Sequence, residues 1–429
     1  MTNSEIVAVI GRRVWDSRGR PTVEAEIRLA SGTTGRAIAP AGASTGSGEA
    51  VDLRDGGPAF GGYDVTRAVA AVNGEIARLL VGRDAADQAG ADAALIALDG
   101  TPNKGRLGGN ALIATSMALA HAAAAEAGLP LWRHLAAGRT VRIPVPEIQI
   151  FGGGAHAARR VDVQDFMLMA PGAASFAEAL DWTAEVYRAA GLAMKKAGKL
   201  QGVADEGGFW PAFESNEAAL DALVGAIADA GFTPGPDIGI SLDIAASEFG
   251  RDGRYRLALD DRELDTEGMI DLLGGWLAAY PILSVEDPLA EDDAAGFIEF
   301  TRRFGAACQV IGDDYLVTNA ARVERAAADE AATAVLVKPN QAGTLTETKA
   351  ALDAGKAAGF GTIVSARSGE SEDVTICHLA VGWDAGQFKV GSFSRSERMA
   401  KWNEMLRIEE ALGGEAVFAG KAALGLAKA

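Results

Sequence analysis

What most constrains the folding of this chain is a rhythm that sets in after about residue 140. Apolar, strand-like runs ("DIGISLDIA", "PILSVEDP", "CQVIGDD", "AVLVKPN", "GTIVSARS", "QFKVGS") alternate with stretches of helical periodicity. A charged residue closes each run: Asp243, Glu286, Asp313, Lys338, Arg367 and Lys389. The steps between them suit one strand plus one helix, the repeat of a (β/α)8 barrel of TIM type. Such a barrel carries its reactive groups at the C-terminal ends of its strands, which is where these six fall. A doubly wound sheet also alternates strand and helix, but it advertises a Gly-rich phosphate turn after its first strand, and none here is convincing.

Ahead of this repeat, residues 4–40 alternate short β-prone runs with turn residues, which predicts a small antiparallel sheet. Helical patterns follow from about 66 to 136, where the alanine-rich "ALAHAAAAEAG" reads as packed helix. A length of 429 residues with 48% hydrophobic content suits two domains. The expected division is an N-terminal α+β domain over 1–138 and a barrel over 139–429.

The charge balance narrows the partners. With 58 acidic and 40 basic residues the formal charge is −18, a poor match for nucleic acid or an anionic membrane. An anionic substrate must therefore be captured by local cations. The two cysteines, Cys308 and Cys377, are far apart and in no metal-ligand spacing, which suits a reducing compartment. No signal layout opens the chain and no run approaches a membrane span, so the cytoplasm is the expected location.

Three of the strand-closing residues are carboxylates at successive barrel steps. Asp243, Glu286 and Asp313 would repel one another at the barrel mouth unless a hard cation sat between them, and oxygen ligands select Mg²⁺ or Mn²⁺ over zinc. Any one acid alone reads more simply as a strand-end cap; three in succession favour the metal. Lys338 and Lys389 close later strands and should point into the same mouth. Two ammonium groups beside a dication lower each other's proton affinity, which would leave one lysine neutral and available as a base.

The segments "DSRGRPTVE", "GASTG", "DEGGF", "LDIAASEF", "SVEDPL", "GDD", "VKPNQAGTLTET", "RSGESED" and "SRSERMAKWNEMLRIEEALG" occur in order over nearly the full chain. Together they resemble the enolase family. The resemblance implies a lyase with two Mg²⁺ per site that takes the α-proton from 2-phosphoglycerate or a close phosphorylated or phosphonylated hydroxy acid. It implies Asp243, Glu286 and Asp313 as ligands of one Mg²⁺ and Ser44 as the mobile-loop serine closing over the second. Lys338 matches the base, Lys389 the lysine facing the substrate carboxylate, and Arg367 and Ser368 the phosphate holders. Glu206 matches the acid assisting departure of the 3-hydroxyl, and His156 a loop histidine that closes on the substrate. Glu24 and Arg407 match a pair that bridges subunits, which implies a homodimer or larger homo-oligomer. Taken alone, "DEGG" is also readable as an acidic turn and His156 as a surface-loop residue.

Three positions depart from the family pattern. "SARS" replaces Ser-His-Arg-Ser, so Ala366 stands where a histidine is expected. Gln164 is followed by Asp165 rather than glutamate, one methylene shorter, and Ala41 replaces a loop serine. The first two changes fall on the side where the 3-hydroxyl would leave, while the expected base and ligands are intact. That clustering points to a specialised relative with a modified second half-reaction; carboxyphosphonoenolpyruvate synthase of phosphinate pathways is one family relative of that chemical class. The competing readings are an ordinary glycolytic enolase and a non-catalytic, enolase-like binding protein.

Overall fold

The computed structural model of the protein describes residues 3–426. The β-prone runs at the start form an antiparallel sheet of β1 (Ile6–Trp15), β2 (Pro21–Leu29) and β3 (Thr34–Ile38) in the order β1-β2-β3. One face of it is covered by the helix Gly109–Glu126, in which alanine predominates and which is buried along most of its length. Close approach is the reason for small residues: a Cβ on Gly35 of β3 would lie 2.1 Å from the backbone nitrogen of Ala122.

The second half closes into an eight-stranded barrel. Its strands are β4 (Val145–Gly152), β5 (Asp165–Met169), β6 (Gly239–Asp243), then, after a small outlying sheet of β7 (Gly250–Arg251), β8 (Arg254–Leu257) and β9 (Arg262–Asp265), β10 (Ile282–Glu286), β11 (Gln309–Gly312), β12 (Ala334–Val337), β13 (Gly361–Ser365) and β14 (Gln387–Gly391). Around the barrel they run β10-β11-β12-β13-β14-β4-β5-β6, with β6 pairing β10 to close it. These strands are buried on both faces, which is why they read as near-continuous apolar runs instead of alternating ones. The helices between them start where the sequence supplies capping side chains: Ser175, Ser215, Asp265, Asp293, Asn319 and Thr344 each accept a hydrogen bond from the first helical turn.

The expected barrel is present, with one irregularity. The repeat is not uniform: β5 runs antiparallel to both β4 and β6. The link between β4 and β5 contains only a short 3₁₀ turn, Gly154–Ala157, and is too short for a crossover helix, so the chain doubles back. The doubled-back link carries His156 across the barrel mouth. Two helices, Phe176–Lys196 and Asn216–Asp229, then follow β5 before the regular alternation resumes.

The N-terminal part reaches the mouth through the "GASTG" segment. Ala41 and Gly369 exchange backbone hydrogen bonds at 2.9 Å, and Ala50 N donates to Gln341 O at 2.8 Å. The loop is thus pinned at one end beside Arg367 and at the other beside Lys338.

Candidate active site

All six strand-closing residues lie at this mouth and all are buried. They separate into two groups. Lys389 of β14 donates to Asp243 Oδ2 at 2.9 Å and to Glu286 at 2.8 and 2.9 Å, while Lys338 donates to Asp313 Oδ2. Gln341, three residues beyond Lys338, donates to the other oxygen of Asp313 at 2.8 Å.

This geometry gives each lysine a carboxylate counter-ion, while Lys389 lowers the proton affinity of Lys338. Burial does oppose charge on both, but Asp313 outweighs it at Lys338, and Asp243 and Glu286 outweigh it at Lys389, so both are held protonated above the ordinary lysine range. Like-charge crowding is felt by the acids as well. Burial and then Asp243 raise Glu286 well above the usual carboxylate value. A buried carboxylate whose proton affinity is raised by acidic neighbours, as Glu286 is by Asp243 and Asp313, is the donor chemistry that a hard divalent cation relieves. Asp243, Glu286 and Asp313 offer oxygens of that kind, for which an ion would compete with the two ammonium groups. Among the described residues, however, the sets that already lie close enough to share an ion are Asp287, Asp313 and Asp314, and His156, Asp165 and Glu206. Asp313 also lies in a tight acidic trio with Asp287 and Asp314. Asp287 has a local duty there, accepting from Asp313 N at 2.9 Å and Asp314 N at 2.7 Å, and so sets the turn that presents Asp313.

Across the mouth stands the second group. His156 Nδ1 meets Asp165 Oδ1 at 2.9 Å and its Nε2 lies 3.7 Å from Glu206. Burial is the largest influence on the imidazole and disfavours its charge, but Asp165 and Glu206 together reverse this and hold His156 up to about 9. Glu206 is raised above the ordinary range by burial, with His156 pulling the other way. Asp165 is held low, since His156 overcomes the burial that opposes its charge. Gln164 donates to Asp243 Oδ2 at 3.2 Å and ties the two groups together.

Arg367 and Ser368 follow β13. Arg367 donates to Glu49 at 3.0 and 3.2 Å, to Asn340 Oδ1 at 3.0 Å and to the Ser44 carbonyl at 2.9 Å. Ser368 Oγ accepts from Arg18 at 3.2 Å. Glu49, Arg18, Gln341 and Gln149 escaped the sequence reading. The first three sit inside or beside the quoted segments "GASTG", "DSRGRPTVE" and "VKPNQAGTLTET", so their positions were flagged and only their roles were missed. Gln149 lies in an unremarked strand. The backbone of this Arg367 corner is braced from behind: the fully buried Arg398 donates to the carbonyls of Arg367 at 2.7 Å, Ser368 at 2.6 Å and Val390 at 2.8 Å, and Lys401 donates to that of Ser371 at 2.9 Å.

Ser44, His156, Gln164, Asp165, Glu206, Asp243, Lys338, Ala366, Arg367, Ser368 and Lys389 line one cavity of about 20 Å³. That is room for roughly one water, so a larger ligand requires part of the lining to move. In the cavity wall Asp165 Oδ2 and Gln164 Oε1 are buried without a hydrogen-bond partner, acceptors that a polar ligand would satisfy. Ala366 offers only a methyl group, and its backbone N–H is taken by Lys389 O at 2.9 Å. A roomier surface depression of about 730 Å³, lined in part by Ser47, Arg251, Glu291 and Arg322, holds none of the strand-end groups.

Two family models match the chain: the enolase N-terminal domain over residues 6–135 and the enolase C-terminal TIM barrel domain over residues 140–426. With a closed barrel, a strand-rich N-terminal part and a mouth of converging acids and lysines, the chain belongs to the enolase family of lyases, which generally uses Mg²⁺.

Proposed function

We propose that the protein is a Mg²⁺-dependent lyase that removes the α-proton of 2-phosphoglycerate, or of a close 2-substituted glycerate such as a phosphonate analogue, and expels the 3-hydroxyl to leave an enolpyruvate ester. In this reading Lys338, released from the carboxylate that keeps it charged once Asp313 turns to a dication, takes the proton from C2 as a neutral base, and Lys389 faces the substrate carboxylate. The C2 electron pair forms the C2–C3 double bond as the C3–O bond breaks, and the hydroxyl leaves as water with a proton from Glu206. His156 and Asp165 close that side. Arg367 and Ser368 take the phosphoryl or phosphonyl oxygens, a role in which Glu49 occupies the Arg367 fork until the anion displaces it. Asp243, Glu286 and Asp313 would hold one Mg²⁺ and Ser44 would close over a second, and the positive charge these ions would supply makes so weak an acid ionisable.

The observation that carries the specialised reading is the contrast at Ala366. The base and acid-ligand side is complete and paired, whereas a methyl group faces the cavity beside Asp165 and Glu206. We therefore infer that dehydration of ordinary 2-phosphoglycerate is slow, by roughly the 10²–10⁴-fold typical of losing one acid–base group, and that the space serves a bulkier substrate. The test compares C2 deuterium exchange with phosphoenolpyruvate formation in the wild type and in Ala366→His. The variant should gain dehydration and lose activity on a bulkier analogue. Wild-type turnover of 2-phosphoglycerate at roughly 10–10³ per second would make the protein an ordinary enolase, and absence of Mg²⁺-dependent exchange would make it a binding protein.

Homodimerisation in a reducing, cytoplasmic setting completes the proposal. Both cysteines are buried and free. Glu24 is held in its own chain by Arg12 at 2.9 Å and Arg36 at 3.4 Å, and the exposed Arg407, among the described residues, by Glu404 alone. Arg407 is thus the freer partner for a contact between copies. Arg407→Glu should shift the sedimentation profile toward monomer at micromolar concentration; a wild type already monomeric there defeats the assignment.

A further inference from the structure

Gln149 is a fully buried amide on β4 whose two ends serve different parts of the site. Its Nε2 donates to Asp165 Oδ1, the same oxygen that His156 meets, and its Oε1 accepts from Gly208 N at 2.8 Å. Gly208 closes the turn 204–208 that presents Glu206, in which Ala204 N donates to Gly208 O at 2.7 Å. Room for the amide is built in: a Cβ on Gly208 would lie 2.5 Å from Gln149 Oε1, and one on Gly152, the residue paired with Asp165, would lie 3.3 Å from Nε2.

We infer that Gln149 is the positioning residue of the leaving-group side, a single amide that sets the rotation of Asp165 and the placement of the Glu206 turn together. The inference rests on the reading of Asp165 and Glu206 given above. Because Gln149 and His156 both take Oδ1, the other oxygen, Oδ2, is left without a hydrogen bond in the cavity wall, 3.7 Å from Lys389. The amide thereby decides which carboxylate oxygen is offered to the substrate. It also accounts for Asp165: a carboxylate set back by one methylene needs a long partner, and Gln149 is long. A glutamate at 165 would drive its carboxylate into the amide unless residue 149 were shortened.

The test is a methylene swap, comparing Gln149→Asn, Asp165→Glu and the double variant with wild type, using Mg²⁺ and 2-phosphoglycerate as the probe. Gln149→Asn should lower product formation by about 10²-fold, the cost of an ångström-scale misplacement, while C2 exchange stays within a few-fold. The double variant should recover most of the loss, which general loosening of the core would not produce. Equal loss of exchange and product, or no recovery in the double variant, overturns the inference. If the wild type shows no exchange, the proposed reaction has failed and crystal structures decide instead. Rotation of Asp165 off His156 and movement of the 204–208 turn in Gln149→Asn sustain the role; an unchanged arrangement removes it. Should Gln149→Asn fail to fold, a folded double variant supports the swap and an unfolded one counts against it.

Discussion

The two walls of the cavity are held by different means. On the Lys338 wall, ions pair: Lys338 with Asp313, Lys389 with Asp243 and Glu286, Arg367 with Glu49. On the His156 wall, three groups converge on one carboxylate, as Gln149, His156 and, more distantly, Lys389 meet Asp165. Ion pairs in a buried site tolerate exchange of one counter-ion for another, so a dication or an anionic substrate can replace an ammonium or a carboxylate without rebuilding the wall. A shared carboxylate has no such slack, because moving it by one methylene disturbs every partner.

The largest expected effect falls on the exchangeable wall. Lys338→Met should reduce Mg²⁺-dependent C2 exchange by about 10²–10⁴-fold; exchange that survives would mean the base stands on the other wall and the division is false. Asp243→Asn should weaken Mg²⁺ binding, read by calorimetry, by at least the roughly 10–100-fold seen when only an outer partner of a metal ligand is lost. Unchanged affinity would remove the metal from this wall. The smallest effect sharpens the comparison on the shared wall. Because folding raises His156 from 6.5 to about 9, its stabilising contribution is complete below about pH 6.5 and is lost as the pH rises through 9. His156→Gln should therefore lower the Tm by a few degrees near pH 6 and converge on the wild type above about pH 9. A gap that persists at high pH would assign His156 a packing role.

Much of this was legible because barrel strands announce themselves twice, by an apolar run and by the charge that ends it. Asp243 and Glu286 are the last residues of β6 and β10, and Asp313 and Lys338 directly follow β11 and β12. The reversal of β5 was not legible, since strand direction is set by the length of the connection and "FGGGAHAARR" carries no length signal of its own. The counter-ions of the lysines were not legible either: only the fold shows Lys338 on Asp313, and Lys389 on Asp243 and Glu286. Gln149 was invisible for a related reason. An amide inside an apolar strand marks a buried polar contact, but its partners lie 16 and 59 residues away.

The bracing of the Arg367 corner has a consequence for the order in which the molecule is made. Chains emerge from the ribosome from the N-terminus, and folding tends to follow that order. Yet the carbonyls of Arg367, Ser368 and Val390 find their donor on Arg398, and that of Ser371 on Lys401, within the helix Ser396–Leu412 near the chain's end. A nascent chain that has released every strand of the barrel still lacks these donors, and of these carbonyls Ser368 alone keeps another side-chain donor among the described residues, Ser17 Oγ at 3.3 Å. The Arg367 corner is fully braced only when the last helix docks, so a barrel cut short before Arg398 would have all its strands and a loosened corner.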